Sequence, residues 1–375
     1  PPPLPLPAAA APAAPPRRPP HLLMAMPTAP DPARRTVALL RPEQSALARA
    51  VADAARLDLR AVHAAPGPGS RSDAAADLDP AEPFDDPRRA LTEPDAEGGL
   101  VLLLARPAEL DGVEPEQLVT LAKQRSMRVV TLEPLPASVR AAIRMEDAGL
   151  LEWVRPMPLL RRAPIFVAAE DALENFGPIR TAALAGRCSS AHGSLAARLF
   201  DAMHLLHSLL GVPESVDASV VAPLPAADDA GPPSLVRLRG DLTANIRTGG
   251  ARAASLVLSD RAGRWFRGVT ILGEAGCLRL DERGFEHVDP DGSLLDSTTE
   301  PPARPRDASV AAAAHFSAAD SLAAALDRML DPRLPTPPIA AAQEILAMCE
   351  AAVLSARTGQ SESPRTVLDM ARLGA

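Results

Sequence analysis

The chain has 375 residues, with 47 acidic against 39 basic side chains and a formal net charge of −8. All but one of the basic residues are arginines, aromatic residues make up 2%, and no basic stripe interleaves with them, which argues against a nucleic-acid partner. No apolar run approaches the ~20 residues needed to cross a bilayer, so no membrane span is expected. Cys188, Cys277 and Cys349 have no paired or ligand-like spacing, which fits a reducing cytoplasm better than a disulfide framework or a zinc ribbon.

Residues 1–34 form a Pro/Ala-rich tract without periodicity and are expected to be disordered. Arg17-Arg18 resembles a twin-arginine signal, but "PPHLLMAMPTAP" offers no sustained apolar core after it, and Met24 or Met26 is read as the true start. From residue 35, "RTVALL" reads as a strand, "EQSALARAVADAAR" as a helix and "LDLRAVHAA" as a second strand. "GGLVLLLARP", "EPEQLVTLAKQRS" and "MRVVTLEP" then repeat strand, helix, strand. Continuous apolar strands alternating with helices predict a parallel sheet covered on both faces, a Rossmann-like domain over 35–135, with ligands at the carboxyl ends of its strands.

The pattern then changes. "IRTAALAGRCS", "ESVDASVVAP" and "SLVRLRGDLTANIR" read as strands. A run of short strands follows over "ASLVLSDRAGRWFRGVTILGEAGCLRLDERGFEHVDPDGSLLD", broken by the turns "DRAG", "DERG" and "DPDG". "SLAARLFDAMHLLHSLLG" is an amphipathic helix closed by Gly211 and Pro213. These segments predict an α+β domain with a mostly antiparallel open sheet over 136–335. Late helices over 336–375 are expected to pack back on the N-terminal domain.

Several segments, taken in order, resemble the Gfo/Idh/MocA family of NAD(P)-dependent sugar and polyol oxidoreductases. "AKQRSMRVVTLEPLP" is similar to the family's "A-x-x-x-G-K-H-V-x-x-E-K-P-x". "LFDAMHLLHSLLGVPESVDA" resembles its "L-L-G-x-P-x-x-V-x-A" helix end, "VTILGEAGCLRL" its "G-x-x-G" strand pair, and "LSARTGQSESP" its C-terminal helix end. The resemblance implies hydride transfer with NAD or NADP on a sugar- or polyol-like substrate, and a homo-oligomer paired through the open sheet. It places cofactor contacts on Arg41, Glu43, Ala46, Arg106, Pro107 and Pro134, and catalytic positions on Glu133, Asp201 and His204.

Those positions depart from the family. Its glycine fingerprint falls on "RPEQSA", so Arg41, Glu43 and Ala46 replace the glycines that let a backbone approach a pyrophosphate. Pro42 and Glu43 make a good helix start with no ligand, although Arg41 has the chemistry to contact a phosphate from the side. The acid expected for the ribose hydroxyls is replaced by His63 or Ala64, while "GSRS" at 69–72 suits either a 2′-phosphate or a polar loop. The family's lysine position is Glu133, which reverses the charge where an alkoxide would develop. Lys123, the only lysine, lies about ten residues away on the preceding helix.

The family's H-x-x-D pair is inverted to Asp201 and His204, and His207 continues the same face. Two histidines filling a half-buried interface come first among the readings. An acid/base set with His204 as proton carrier, oriented by Asp201 or Glu133, comes second, and a metal site a distant third. "HVDPDG" lacks the remaining ligands of a calcium loop and reads as a hairpin turn. Trp265 and Phe266 in "GRWFRG" read as sheet packing ahead of a sugar pocket or subunit contact. Two functions therefore stand open: an oxidoreductase with altered catalytic residues, or a catalytically inactive relative acting as a binding or assembly module.

Overall fold

The computed structural model describes residues 34–65, 77–92, 97–110, 112–221, 234–299, 317–331 and 341–374. Residues 1–33 of the expected tail and the "GSRS" loop lie outside them. The first layer alternates as the sequence predicts: β1 (Arg34–Leu40), α1 (Ser45–Ala55), β2 (Leu57–Ala64), β3 (Glu82–Pro83), α2 (Pro87–Leu91), β4 (Leu100–Leu103), α3 (Pro115–Gln124), β5 (Arg128–Thr131), α4 (Val139–Asp147) and β6 (Val154–Pro156). The strands form one parallel sheet in the order β3-β2-β1-β4-β5-β6. Val37 to Leu40 of β1 and all of β4 are buried, so both faces of these strands are covered, and their unbroken apolar runs follow from that. The chain leaves β1 for β2 on one side and returns to β4 on the other. This makes the carboxyl ends of β1 and β4 the switch point where α/β sheets bind ligands.

Beyond β6, two single-turn helices, α5 (Pro164–Ala168) and α6 (Glu170–Glu174), lead into the second layer. It comprises β7 (Ile179–Arg187), α7 (Leu195–Leu210), β8 (Ser215–Val221), β9 (Asp241–Thr248), β10 (Arg252–Ser259), β11 (Phe266–Gly273), β12 (Gly276–Asp281), β13 (Gly284–Val288) and β14 (Leu294–Thr299). The eight strands run β14-β13-β12-β11-β7-β10-β9-β8, antiparallel throughout except for the β7–β10 pair. The predicted class, a Rossmann-like parallel sheet followed by an α+β domain with a mostly antiparallel open sheet, is observed. β9 shows the one-sided burial of that sheet plainly: Leu242, Ala244, Ile246 and Thr248 are buried, and the four residues alternating with them, Asp241, Thr243, Asn245 and Arg247, are exposed.

The late helices are distributed differently from the expectation. α8 (Ala318–Leu330), assigned in advance to the second domain, lies on the first sheet. Its Leu322, Leu326 and Met329 share a core with Leu47 and Val51 of α1. α9 (Ala342–Thr358) and α10 (Pro364–Leu373), expected to return to the N-terminal domain, bury Ile345, Leu346 and Leu368 in the core of the second sheet with Leu199 and Met203 of α7. The reason is surface matching. α1 leaves part of one sheet face open, and the apolar stripe of α8 completes it. α9 buries residues around much of its girth and fits between β8, α7 and α4.

Candidate functional site

At the switch point, β1 runs into a 3₁₀ turn, Pro42–Gln44, before α1 begins. Pro42 has no N–H, the Gln44 amide donates to the Arg41 carbonyl, and the Ser45 amide donates to the Pro42 carbonyl. These are the backbone donors that cradle a phosphate in a glycine-rich turn, and here the turn itself consumes them. The Gln44 side chain is fully buried; it accepts from the Arg41 amide at 2.9 Å and donates to the Leu104 carbonyl at 3.0 Å.

Arg41 lies across the crevice. Its Nη1 is 3.2 Å from the Glu43 carboxylate, its Nε 3.7 Å from Glu109, and its Nη2 donates to the Ser190 carbonyl of the second layer. Glu109 follows β4, so a guanidinium and two carboxylates occupy the place where a dinucleotide lays its pyrophosphate in this fold. The residues present do not fit NAD or NADP in that pose. A negative ligand group meets Glu43 and Glu109, and the Gln44 and Ser45 amides are already bonded within the turn. Ala46 is exposed on the first turn of α1 and has no polar side-chain atom to offer. His63, at the end of β2, is buried, with its Nδ1 3.0 Å from the Phe84 carbonyl.

One strand further on, a cleft of about 390 Å³ opens between the ends of β4 and β5 and the second layer. Arg106, Pro107, Glu133 and Pro134 line one wall, Ala196 and Val236 the other. Glu133 is 2% exposed. Its Oε1 accepts from the Ser194 amide at 3.0 Å, and its Oε2 is hydrogen-bonded to the Ser194 hydroxyl. Ser194 caps α7, and Gly193 before it has φ +129, a conformation that side-chain-bearing residues rarely adopt. The carboxylate of Glu133 therefore faces the positive end of a 16-residue helix, which ties the end of β5 to the second layer. Burial, the strongest influence, pushes the Glu133 carboxyl above its ordinary range, and Arg106, the Ser194 hydroxyl and Arg41 pull it partly back.

Asp201 has a different setting. It lies seven residues along α7 from Ser194, about 10 Å down the helix axis, and does not line the cleft. Its Oδ1 accepts from the Leu160 amide at 2.7 Å and its Oδ2 from Arg267 Nη1 at 2.9 Å. Arg267 is 2% exposed and also donates to Glu282, the Pro158 carbonyl and the Ser321 hydroxyl. Burial alone would lower the Arg267 guanidinium, but Glu282 and Asp201 outweigh it and hold the group above its ordinary value. Arg198 stands 3.9 Å from Asp201, and Trp265 packs between Arg198 and Arg267, at 4.3 Å and 5.2 Å from its ring centre. Trp265 thus belongs to buried packing. Phe266 lies on the outward sheet face under Arg187.

His204 is half-buried one turn beyond Asp201, and its Nδ1 is buried with no hydrogen-bond partner among the described residues. Burial pulls its imidazole down to about 4, against the opposing pull of Asp201. His207 turns instead to Glu344 on α9, at 2.7 Å. The structure thus brings Arg106, Pro107, Glu133 and Pro134 to one cleft, and places Asp201 and His204 outside it. Among the described residues no three His, Cys, Asp or Glu side chains are grouped to hold a metal. In "HVDPDG", the Asp289 carboxylate accepts from the amides of Asp291 and Ser293, as a turn requires.

Glu109, Ser194, Arg267, Glu282 and Ser321 were missed from the sequence. Arg267 alone carried a signal. It shares the inward phase of its strand with Val269 and Ile271, so a charge there demands a buried partner. Its partners come from turns and a helix 15 and 54 residues away, which no local pattern marks.

No family model and no curated protein matches the sequence. Solved structures do. Levoglucosan dehydrogenase in complex with NADH and levoglucosan is 14% identical, with a TM-score of 0.63 over 88% of this chain and 99% of that one. GenD2 from gentamicin A biosynthesis, in complex with NAD, is 20% identical, with a TM-score of 0.60 over 90% and 99%. A putative myo-inositol dehydrogenase from Sinorhizobium meliloti is 17% identical, with a TM-score of 0.55 over 88% and 99%. The resemblance to the Gfo/Idh/MocA oxidoreductases read from the sequence is borne out at the level of fold: 88–90% of this chain, with both layers, matches these solved structures.

Proposed function

We propose that this chain uses an oxidoreductase fold to bind a small hydroxylated molecule in the cleft between Arg106, Glu133 and Val236, without hydride transfer through a dinucleotide laid on the first βα turn. The observation that carries this reading is the Arg41 cluster. The guanidinium stands between Glu43 and Glu109, and the Gln44 and Ser45 amides are bonded within the 3₁₀ turn. Two further substitutions point the same way. Glu133 sets a carboxylate where an alkoxide would need positive charge, and Asp201 is committed to Arg267.

A second reading is an NAD(P)-dependent oxidoreductase acting on a sugar- or polyol-like substrate. The NAD and NADH complexes of the fold neighbours favour it, as does the position of the cleft at the strand ends. In that case Glu133, held towards its protonated form, is a group in the cleft able to exchange a proton with a substrate hydroxyl. His204 and Asp201 would then act only after a rearrangement.

Titration of the purified protein with NADH and NADPH, followed by fluorescence and calorimetry, separates the two. The first reading expects no binding up to millimolar nucleotide, and micromolar binding overturns it. The same proposal includes a cytoplasmic location and a homo-oligomer paired through the outward face of the second sheet. Ala183, Ser255 and Thr270 make that face shallow, and exposed Val257 and Leu272 make it partly apolar. Sedimentation of the wild type and a Val257→Glu variant tests the pairing.

A further inference from the structure

We propose that the ligand of this cleft is a small hydroxylated monocarboxylate, a sugar acid rather than a neutral sugar, with its carboxylate held by Arg106 and a hydroxyl held by Glu133. The inference rests on the reading of the cleft as a ligand site and adds the class of ligand. Arg106 is 6% exposed and lines the cleft. Among the described residues, of its guanidinium groups only Nη1 makes a hydrogen bond, 3.1 Å to the Val236 carbonyl. Nε is buried without a hydrogen-bond partner, and its nearest carboxylate oxygen, on Glu109, is 4.0 Å away, too far for a hydrogen bond.

Nη2 is then the guanidinium nitrogen left to meet an acceptor in the cleft, where a ligand carboxylate would accept a charge-assisted hydrogen bond. A buried guanidinium left with most of its donors unfilled is costly in a folded chain, and a ligand acceptor removes that cost.

Charge and size narrow the class. Arg41 and Arg106 are matched by Glu43 and Glu109, and Glu114 and Glu133 also line the cleft, so there is no surplus positive charge with which to hold a dianion such as a phosphate ester. Glu133 adds hydrogen-bonding capacity. Each of its oxygens spends one lone pair on Ser194 and keeps another for a hydroxyl. The volume, about 390 Å³, is near the lower end of ligand sites and fits a compact molecule.

The test is calorimetric titration of the full chain with D-gluconate and D-ribonate, each beside its neutral polyol, sorbitol or ribitol, and with sorbitol 6-phosphate. At least one acid is expected to bind ten times or more tighter than its polyol and than the phosphate ester. Arg106→Gln is expected to abolish that preference. Glu109→Gln, which keeps an acceptor for the Arg106 amide but frees the guanidinium, is expected to tighten acid binding several-fold and leave the polyols unchanged. This second variant decides the matter if Arg106→Gln fails to fold. Equal binding of acid and polyol, tighter binding of the phosphate ester, or no binding by any of them overturns the assignment. The nucleotide titration judges the absence of a dinucleotide independently of all these outcomes.

Discussion

Replacing Arg267 by methionine tests whether Asp201, a catalytic candidate by resemblance, serves a buried ion-pair cluster in this chain. The Arg267 side chain is 3% exposed and donates to Asp201, Glu282, Ser321 and the Pro158 carbonyl. Methionine fills similar volume but strands two carboxylates, Asp201 at 6% and Glu282 at 5% side-chain exposure. Breaking one buried pair costs about 3–5 kcal/mol because the remaining charge is uncompensated. Two stranded carboxylates put the loss at the upper end, and Arg198, 3.9 Å from Asp201, offsets part of it. The expected loss is about 4–5 kcal/mol, a large share of the ~5–15 kcal/mol that holds a folded domain. Urea denaturation should show a lowered midpoint with an unchanged slope. The triple variant Asp201→Asn, Arg267→Met, Glu282→Gln removes the stranded charges and should regain at least half of the loss. A single-variant loss below ~1 kcal/mol, or a triple variant no more stable than the single one, refutes the reasoning.

Three other outcomes follow from buried titratable groups. His204 titrates near 4 in the folded chain against an ordinary 6.5, so its contribution to stability is complete above about 6.5 and is lost as pH falls toward 4. Two and a half units cap that contribution at roughly 3 kcal/mol. His204→Leu should flatten the fall of the urea midpoint between pH 7 and 4.5, and parallel pH curves would refute the assignment. Glu133 has the opposite sign. Its raised value means that stability falls as pH rises above the unfolded carboxyl range, so Glu133→Gln should gain on the parent between pH 4.5 and 8; a constant difference across that range counts against it. Burial pushes the Cys188 thiol up to about 11, and Cys349 is raised as well. A thiol reagent at pH 8 should therefore modify Cys277 promptly, and the other two only after unfolding; rapid native-state labelling of Cys188 contradicts this.

The parallel sheet was legible because its strands are buried on both faces, and "TVALL" and "LVLLLA" have no other economical use. The second sheet was legible because its turns punctuate one-sided strands. The C-terminal helices were not placed correctly by periodicity, which shows that a helix has an apolar face without showing which sheet that face meets. Within the site, Arg106, Glu133 and Pro134 came from the resemblance, and their place just past strand ends agrees with it. Asp201 and His204 came from the resemblance to the family's H-x-x-D pair, and their surroundings depend on Arg267 and Leu160, which chain position does not connect to them. Arg41 was recognised as an odd residue in a glycine position. Its reach across the crevice to Ser190 and Glu109 is a tertiary fact.

The return of α8 to the first sheet bears on how the chain folds as it is made. The core around Leu47 and Val51 is complete only when Leu322 and Met329 arrive, after every strand of the second sheet. The N-terminal half therefore leaves the ribosome with part of one sheet face uncovered and waits through the synthesis of some 160 further residues, from Val154–Pro156 to Ala318. Truncation anywhere before residue 318 should yield a first layer with sticky apolar surface rather than a usable nucleotide-fold domain.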